Sequence, residues 1–196
     1  MRTVIVFNHP YEGSYCNAIL NAVTKGLQKA GHEVDLMHLD NDRFNPVMTQ
    51  DDLQAFVAHQ PIDPQVINYN ERLKKADHLI FIFPIWWDIM PATTKGFIDR
   101  VLFPGVVYDH HSRGFGLVPL LKNLRSVTII TTMNKPKIMY SLLIGNLIRK
   151  VMLRSVFKTM GYKRLKWISF TSVKSVSQEK RKKWLSNLET RFSSFN

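Results

Sequence analysis

Short apolar runs separated by segments of helical periodicity dominate the chain. Residues 3–7, 78–83 and 126–131 are nearly continuous apolar runs, which are typical of strands buried on both faces of a parallel sheet. Two further strands are predicted over residues 34–38 and 165–173. The five strands alternate with helices, and this alternation predicts a doubly wound α/β fold.

The helices are predicted from apolar stripes and from capping signals. The helix after the first strand should end at Gly31, a typical residue just beyond a helix C-terminus. Thr49-Gln-Asp-Asp52 predicts another helix start, and Ser175-Val-Ser-Gln178 predicts a capping box for the last helix. The segment 103–119 is predicted to be a long loop. The remaining helices are predicted over residues 65–75, 91–101 and 136–160.

The strand order predicts where a ligand would bind. The simplest order for a single domain over residues 1–196 is the flavodoxin-like order 2-1-3-4-5, with five parallel strands. In such sheets, ligands bind outside the carboxyl ends of the strands. Pro84-Ile-Trp-Trp-Asp-Ile-Met-Pro91 follows the central third strand. We therefore expect it to form the middle wall of the crevice.

The composition indicates a single globular domain in a reducing compartment. The chain has 196 residues, 45% of them hydrophobic and 21% charged, and Cys16 is its one cysteine. We therefore expect a cytoplasmic protein without intrachain disulfides. The N-terminal apolar run is too short for a signal peptide. The longest apolar segment, 138–160, contains four Lys or Arg residues, which argues against a membrane span.

The net charge of +12 is concentrated in the second half of the sequence. Residues 1–109 carry nine Lys/Arg and 13 Asp/Glu, a net charge of −4, whereas residues 110–196 carry 18 and two, a net charge of +16. No carboxylate lies between His110 and Gln178. Such a surface could bind nucleic acid, contact an anionic membrane, attract phosphorylated small molecules, or simply be solvated. Because no nucleic-acid-binding motif is recognised, we expect no nucleic-acid partner.

The loop after the first strand has the features of an anion site. Ser14 is a candidate N-cap for the next helix, whose N-terminus presents free backbone N–H groups that suit a phosphate. The alternative is that Ser14 only caps the helix and that Asn17 only bonds locally. Cys16 also lies at this N-terminus, where the pKa of a thiol can fall. No His or second Cys marks that thiol as catalytic.

Four stretches of the sequence resemble the NAD(P)H:quinone oxidoreductase family of flavoproteins, and they occur in the family's order. They are similar to its first loop, its central Pro-aromatic stretch, its Pro-Gly-Phe-Ala-Tyr segment and its Thr-Thr-Gly-Gly segment. In this chain they comprise residues 9–17, 84–100, 104–108 and 131–132. The resemblance covers roughly residues 3–135 and implies a bound flavin.

The resemblance implies three groups of flavin-binding residues. The first would hold the flavin's phosphate and adjoining groups: His9, Ser14, Tyr15, Cys16 and Asn17. The second would line the isoalloxazine ring, largely through backbone groups: Pro84, Ile85, Trp86, Trp87 and Asp88. The third would lie near the pyrimidine end of the ring, where hydrogen-bond donors can stabilise negative charge on the reduced flavin: Thr131, Thr132, Met133 and Asn134.

The chain departs from the family pattern in two places. Met133-Asn134 replaces the usual glycine pair, which changes how the backbone can approach the ring. Tyr140 is displaced by one residue from the family's proposed proton-donating Tyr, and no His follows it in the sequence. The resemblance therefore leaves Tyr140 or solvent as the source of the proton.

Neighbouring residues on a strand face opposite ways, which limits two candidate motifs. At most one of Trp86 and Trp87 should stack on the flavin, and both could instead be core residues. Asp109-His-His111 offers possible metal ligands, but adjacent residues rarely face the same way. We therefore expect a surface loop there and no metal site.

These features predict a flavin-dependent NAD(P)H oxidoreductase. The resemblance implies that NAD(P)H passes a hydride to the flavin and leaves, after which a quinone or similar small acceptor takes two electrons in the same pocket, in a ping-pong mechanism. It implies FAD, with FMN as the alternative because a chain this short has little surface for an adenosine arm. A flavodoxin-type electron carrier and a regulatory subunit of an ion-efflux system remain as alternatives.

The segment 138–160 predicts a homodimer. Its apolar residues do not fit one stripe of a continuous α-helix, and residues 142–144 alone span about 200° of a wheel at about 100° per residue. The excess apolar surface must be buried, and a second copy of the chain would bury it. The alternative is that residues 39–63 or the 103–119 loop cover it. The resemblance also implies that a neighbouring subunit completes the pocket.

Overall fold

A computed structural model describes residues 1–112 and 115–195. Its centre is a sheet of five parallel strands in the order β2-β1-β3-β6-β7. Since β4 and β5 form a separate hairpin, this order is the predicted flavodoxin-like order 2-1-3-4-5. The strands are β1 (Arg2–Phe7), β2 (Glu33–His38), β3 (His78–Pro84), β4 (Tyr108–His110), β5 (Leu117–Pro119), β6 (Ser126–Thr132) and β7 (Leu165–Phe170).

Helices cover both faces of the sheet. The helices are α1 (Tyr15–Lys29), α2 (Gln50–Ala58), α3 (Pro64–Lys74), α4 (Ala92–Val101), α5 (Lys137–Leu142), a π-helix (Arg149–Lys158) and α6 (Gln178–Ser193). The central strand β3 is buried along its whole length. Its Ile80 and Ile82 pack with α1 and α6, whereas Leu79, Phe81 and Phe83 pack with α3, α4 and the π-helix. The alternation of side chains along a strand explains this division.

The capping residues confirm most of the predicted helix starts and ends. Ser14 accepts a hydrogen bond from the backbone N–H of Asn17 at 3.1 Å, and Thr49 forms a capping box with Asp52. Gly31 follows α1 with φ +74°, a conformation that favours glycine.

The start of the last helix was predicted two residues too early. Ser177, and not Ser175, is the N-cap of α6 and accepts a hydrogen bond from the N–H of Lys180 at 3.2 Å. The preceding strand β7 is also shorter than predicted, since it ends at Phe170. The chain turns at Ser172, where φ is +54°. In the predicted 103–119 loop, β4 and β5 form a short antiparallel hairpin.

The prediction of one long helix over residues 136–160 is wrong. The helix α5 ends at Leu142, and Gly145 and Asn146 then take positive φ values that no α-helix contains. The chain continues as the π-helix, in which the hydroxyl of Thr159 and its backbone N–H both donate to the carbonyl of Arg154, five residues earlier. In the described part of the chain, no helix is long and apolar enough to cross a membrane.

The π-helix changes which apolar residues share a face. With about 4.4 residues per turn, against about 3.6 in an α-helix, it aligns Ile148, Met152 and Phe157 on one buried stripe. Much of the apolar surface that a continuous α-helix would leave over is therefore buried within the chain. The large apolar residues of this segment that remain exposed are Ile138, Met139, Leu142 and Leu143.

Candidate active site

A pocket of about 380 Å³ lies at the carboxyl ends of the central strands. The loops after β1, β3, β6 and β7 each contribute part of its wall, as expected for a doubly wound sheet. Its lining residues are His9, Tyr11, Ser14, Tyr15, Pro84, Ile85, Trp86, Thr132, Met133, Asn134, Val173 and Lys174. The structure thus brings together residues from all three groups that the family resemblance implies.

The first loop presents His9 and the start of α1 to the pocket. The Nδ1 atom of His9 accepts a hydrogen bond from the backbone N–H of Tyr11 at 3.1 Å, which leaves the ring proton on Nε2. Burial lowers the pKa of His9, and the nearby Asp40 offsets that effect only in part. His9 is therefore a neutral ring at pH 7 with one N–H donor.

The middle wall is a tight turn and not a continuation of the strand. Trp86 and Ile89 exchange two backbone hydrogen bonds of 2.9 and 3.1 Å, and Trp87 and Asp88 between them have φ values of +49° and +66°. Positive φ at both central residues is typical of a type I′ turn. The turn separates the two tryptophans: Trp86 lines the pocket, whereas Trp87 is 98% exposed and is not among the lining residues.

The wall after β6 is held by the neighbouring strand. The backbone N–H of Met133 donates to the carbonyl of Phe170 at 2.9 Å, and the side chain of Asn134 accepts from the backbone N–H of Lys174 at 3.3 Å. Met133 is buried, so it replaces the first glycine of the family pattern with an apolar side chain in the wall. This contact also explains how Lys174 comes to line the pocket.

Two predicted residues of the first loop point away from the pocket. Cys16 is buried, and its thiol shares a hydrogen bond of 3.2 Å with the hydroxyl of Thr132. Burial raises the pKa of Cys16 to about 11, which opposes a catalytic role for the thiol. The side chain of Asn17 donates to the carbonyl of Glu12 at 2.6 Å. This bond is the local alternative that the sequence left open.

Three further predicted residues also lie outside the pocket lining. Trp87 is exposed on the far side of the turn, as described above. Asp88 forms an ion pair with Lys135. Thr131 is fully buried and accepts a hydrogen bond from the indole N–H of Trp167 at 3.0 Å. Any part that Asp88 plays in the pocket would therefore come from its backbone.

The position of Tyr140 does not support its predicted role as proton donor. The side chain is fully buried. Its hydroxyl donates to the carbonyl of Asp88 at 2.9 Å and accepts from the backbone N–H of Ile148 at 3.1 Å. Burial raises the pKa of Tyr140 above its ordinary value. Tyr140 thus joins α5 and the π-helix to the turn after β3.

Sequence reasoning missed three lining residues: Tyr11, Val173 and Lys174. Tyr11 lies within the loop that was singled out, but a Tyr in a loop carries no specific signal. Val173 and Lys174 were missed because the fifth strand was predicted to run through Val173. Had that strand been ended at Phe170, the rule that ligands bind beyond strand ends would have included both residues.

The lining residues fit a flavin. The start of α1 and the neutral ring of His9 supply N–H donors, and Lys174 supplies a positive charge for a phosphate. Ile85, Trp86 and Met133 offer an apolar surface for a planar ring. No carboxylate is among the residues that line this pocket within the described ranges. The volume lies within the range of small-molecule sites.

The fold and the pocket together define a class of α/β protein that binds its ligand beyond the ends of a parallel sheet. The family model described as flavodoxin-like fold matches residues 1–192. The chain therefore belongs to the flavodoxin-like fold family, as the sequence predicted.

Individual relatives are named as oxidoreductases. The chain is 33% identical over 133 residues to an uncharacterized NAD(P)H oxidoreductase of Haemophilus influenzae, a match that covers 67% of this chain and 64% of that protein. The structure of Smu.1420 from Streptococcus mutans has a TM-score of 0.86 and 31% identity, and covers all of both chains. An NAD(P)H:quinone oxidoreductase from Methanothermobacter marburgensis has a TM-score of 0.88 at 24% identity, covers 100% of this chain and 99% of that one, and shows the shared fold alone.

Proposed function

We propose that this protein is a flavin-dependent NAD(P)H oxidoreductase that reduces a quinone or a similar small acceptor. The observation that carries the proposal is the pocket beyond β1, β3 and β6, which joins an anion-binding loop to an aromatic wall. The names of the relatives support the same activity. The single cysteine supports a cytoplasmic location.

The residues of the pocket would divide the work of holding the flavin. The start of α1 with Ser14 and the Nε2–H of His9 would bind the phosphate, and Trp86 would lie against the ring. When bound, the flavin carries electrons from NAD(P)H to the acceptor. Because Tyr140 is buried and fully hydrogen-bonded, solvent would supply the proton that the acceptor needs.

The test is flavin titration followed by turnover. The purified protein should bind flavin with a yellow absorption spectrum and should oxidise NADH or NADPH with a quinone. A protein that binds neither FAD nor FMN would rule out the proposal. A protein that binds flavin without turnover would favour the electron carrier or the regulatory subunit.

The identity of the flavin needs its own measurement. The family resemblance implies FAD, whereas a volume of about 380 Å³ within one chain favours the smaller FMN. Chromatography of the flavin released by denaturation distinguishes the two.

We further propose that two copies of the chain associate through an apolar surface beside the pocket. This surface comprises Trp86, Trp87, Ile138, Met139, Leu142 and Leu143, all of them exposed. Its two segments are joined by the hydrogen bond from Tyr140 to Asp88 and by the Lys135–Asp88 ion pair. A contiguous exposed apolar surface of this kind is typical of a protein interface.

Replacement of Leu142 and Leu143 by lysine should convert the dimer into a monomer. The two side chains are 76% and 73% exposed, so the exchange leaves the core intact and places two charges in the proposed interface. Light scattering at micromolar concentration measures the mass. The matched control replaces Leu53 and Val57, exposed on α2, by lysine and should leave the dimer unchanged. A wild-type chain that binds flavin and turns over as a monomer would contradict this proposal.

A further inference from the structure

A second pocket, separate from the candidate active site, lies between the π-helix and the start of β7. It has a volume of about 490 Å³. Arg149, Arg154 and Lys158 of the π-helix line one side, and Lys163 lines the other. None of the residues that line the candidate active site belongs to it.

The winding of the π-helix aligns its three cations. At about 4.4 residues per turn, side chains five and nine positions apart lie on nearly the same face, so Arg149, Arg154 and Lys158 point the same way. In an α-helix, at about 100° per residue, Lys158 would lie opposite Arg149. The hydroxyl of Ser155 donates to the carbonyl of Lys150, five residues earlier, at 3.1 Å, in agreement with this winding. Helices of this type are rare and occur frequently at functional sites.

The four cations have no acidic partner. Among the residues that the structure describes, none of the four forms an ion pair, and the surrounding sequence 110–178 contains no carboxylate. Four like charges around one pocket repel one another, and an anion would relieve that repulsion. Arginine suits phosphate in particular because its planar fork can form two parallel hydrogen bonds.

The pocket also has an apolar floor. Leu153, Tyr162 and Leu165 form it. The hydroxyl of Tyr162 donates to the carbonyl of Val107 at 2.8 Å and accepts from the N–H of Leu121 at 3.3 Å, which fixes the ring in place. A ligand that fits would therefore combine several phosphate charges with a flat, weakly polar group.

We propose that this pocket binds a nucleoside di- or triphosphate, with the phosphates on the four cations and the base over the apolar floor. Adjoining pockets add Lys122, Arg125 and Arg164 at one end and Lys137 at the other. These charges extend the positive potential along the same edge of the sheet and raise the local concentration of the anion. The proposal does not depend on the proposed function, because it concerns different residues.

The test measures ATP binding to the flavin-loaded protein without added Mg²⁺, by calorimetry and by thermal shift. Loading with flavin keeps the candidate active site filled. ATP should bind with a stoichiometry of one and raise the melting temperature, whereas adenosine should not bind. Arg149→Gln and Arg154→Gln should each weaken ATP binding by about tenfold or more, since each removes charge-assisted hydrogen bonds. Both side chains are exposed, so folding should be unaffected.

Controls separate this pocket from general attraction to a basic protein. Lys182→Gln removes an exposed cation on α6 that lies outside the pocket and should leave ATP affinity unchanged. Inorganic triphosphate should bind more weakly than ATP, because it makes no contact with the floor. Equal binding of triphosphate and ATP, or equal ATP affinity in the wild type and both arginine variants, would overturn the proposal. Tighter binding of a single-stranded RNA than of ATP, lost in the same variants, would replace it with a nucleic-acid site.

Discussion

Arg100→Met should lower the free energy of unfolding by about 3–5 kcal/mol. Arg100 on α4 is almost fully buried and bonds Asp52 at 2.9 and 3.2 Å and Asp63 at 2.9 Å. Asp52 is also buried, so removal of the guanidinium leaves an uncompensated carboxylate in the interior. The same arginine donates to the carbonyl of Asn45 at 2.7 Å. Urea denaturation at constant m-value measures the loss.

The matched control is Lys95→Met on the same helix. Lys95 forms an exposed ion pair with Asp99 one turn away, and an exposed pair of this kind contributes about 0–1 kcal/mol. A loss in Arg100→Met no larger than that in Lys95→Met would show that the buried ion pairs contribute little.

The same residues predict how stability depends on pH. Burial alone would raise the pKa of Asp52 and Asp63, but hydrogen bonds from Arg100 and from the backbone outweigh it and hold both pKa values below their usual range. The stabilisation is therefore complete above the unfolded pKa of about 3.9 and is lost as the pH falls through the lower folded values. Arg100→Met should reduce this loss below pH 4.

Ser14→Ala should weaken flavin affinity by about 10- to 100-fold, which corresponds to one charge-assisted hydrogen bond of about 1.5–3 kcal/mol. The hydroxyl of Ser14 lines the pocket and caps α1, so its loss removes a contact with the phosphate and disorganises the N–H groups beside it. Titration of apoprotein with FMN or FAD, followed by fluorescence, measures the change.

Two control variants isolate the contact with flavin. Ser177→Ala removes the same type of N-cap from α6, outside the pocket, and should cost about 1 kcal/mol of stability without a change in flavin affinity. Asn17→Ala should have a smaller effect than Ser14→Ala, because Asn17 is bonded to Glu12 and is not among the lining residues. If Ser14→Ala retains wild-type affinity, the loop does not hold the phosphate.

The sheet could be predicted because its strands are buried on both faces. Such strands read as unbroken apolar runs, and residues 78–83 fix the central strand almost to its last residue. The first loop and the stretch after the third strand were predicted for the same reason, since ligands bind where those runs end.

The details that failed depend on backbone geometry that a periodic pattern does not encode. The pair Trp86-Trp87 was treated as part of a strand, but positive φ values at Trp87 and Asp88 turn the chain within two residues. The 136–160 segment was interpreted with the α-helical period, which cannot describe a π-helix. Gly145 was the one available sign of the break. The burial of Tyr140 rests on a carbonyl 52 residues away, which no local pattern indicates.

The buried thiol of Cys16 makes the native chain its own clock for local opening. It is 2% exposed and, with a pKa of about 11, is almost entirely protonated at neutral pH. A thiol reagent can react with it only when the contact between α1 and β6 separates, because Cys16 bonds Thr132 there. Since the chain has no other cysteine, the rate of modification reports how often that one contact breaks. A ligand that bridges the first loop and β6 should slow that reaction in proportion to its occupancy.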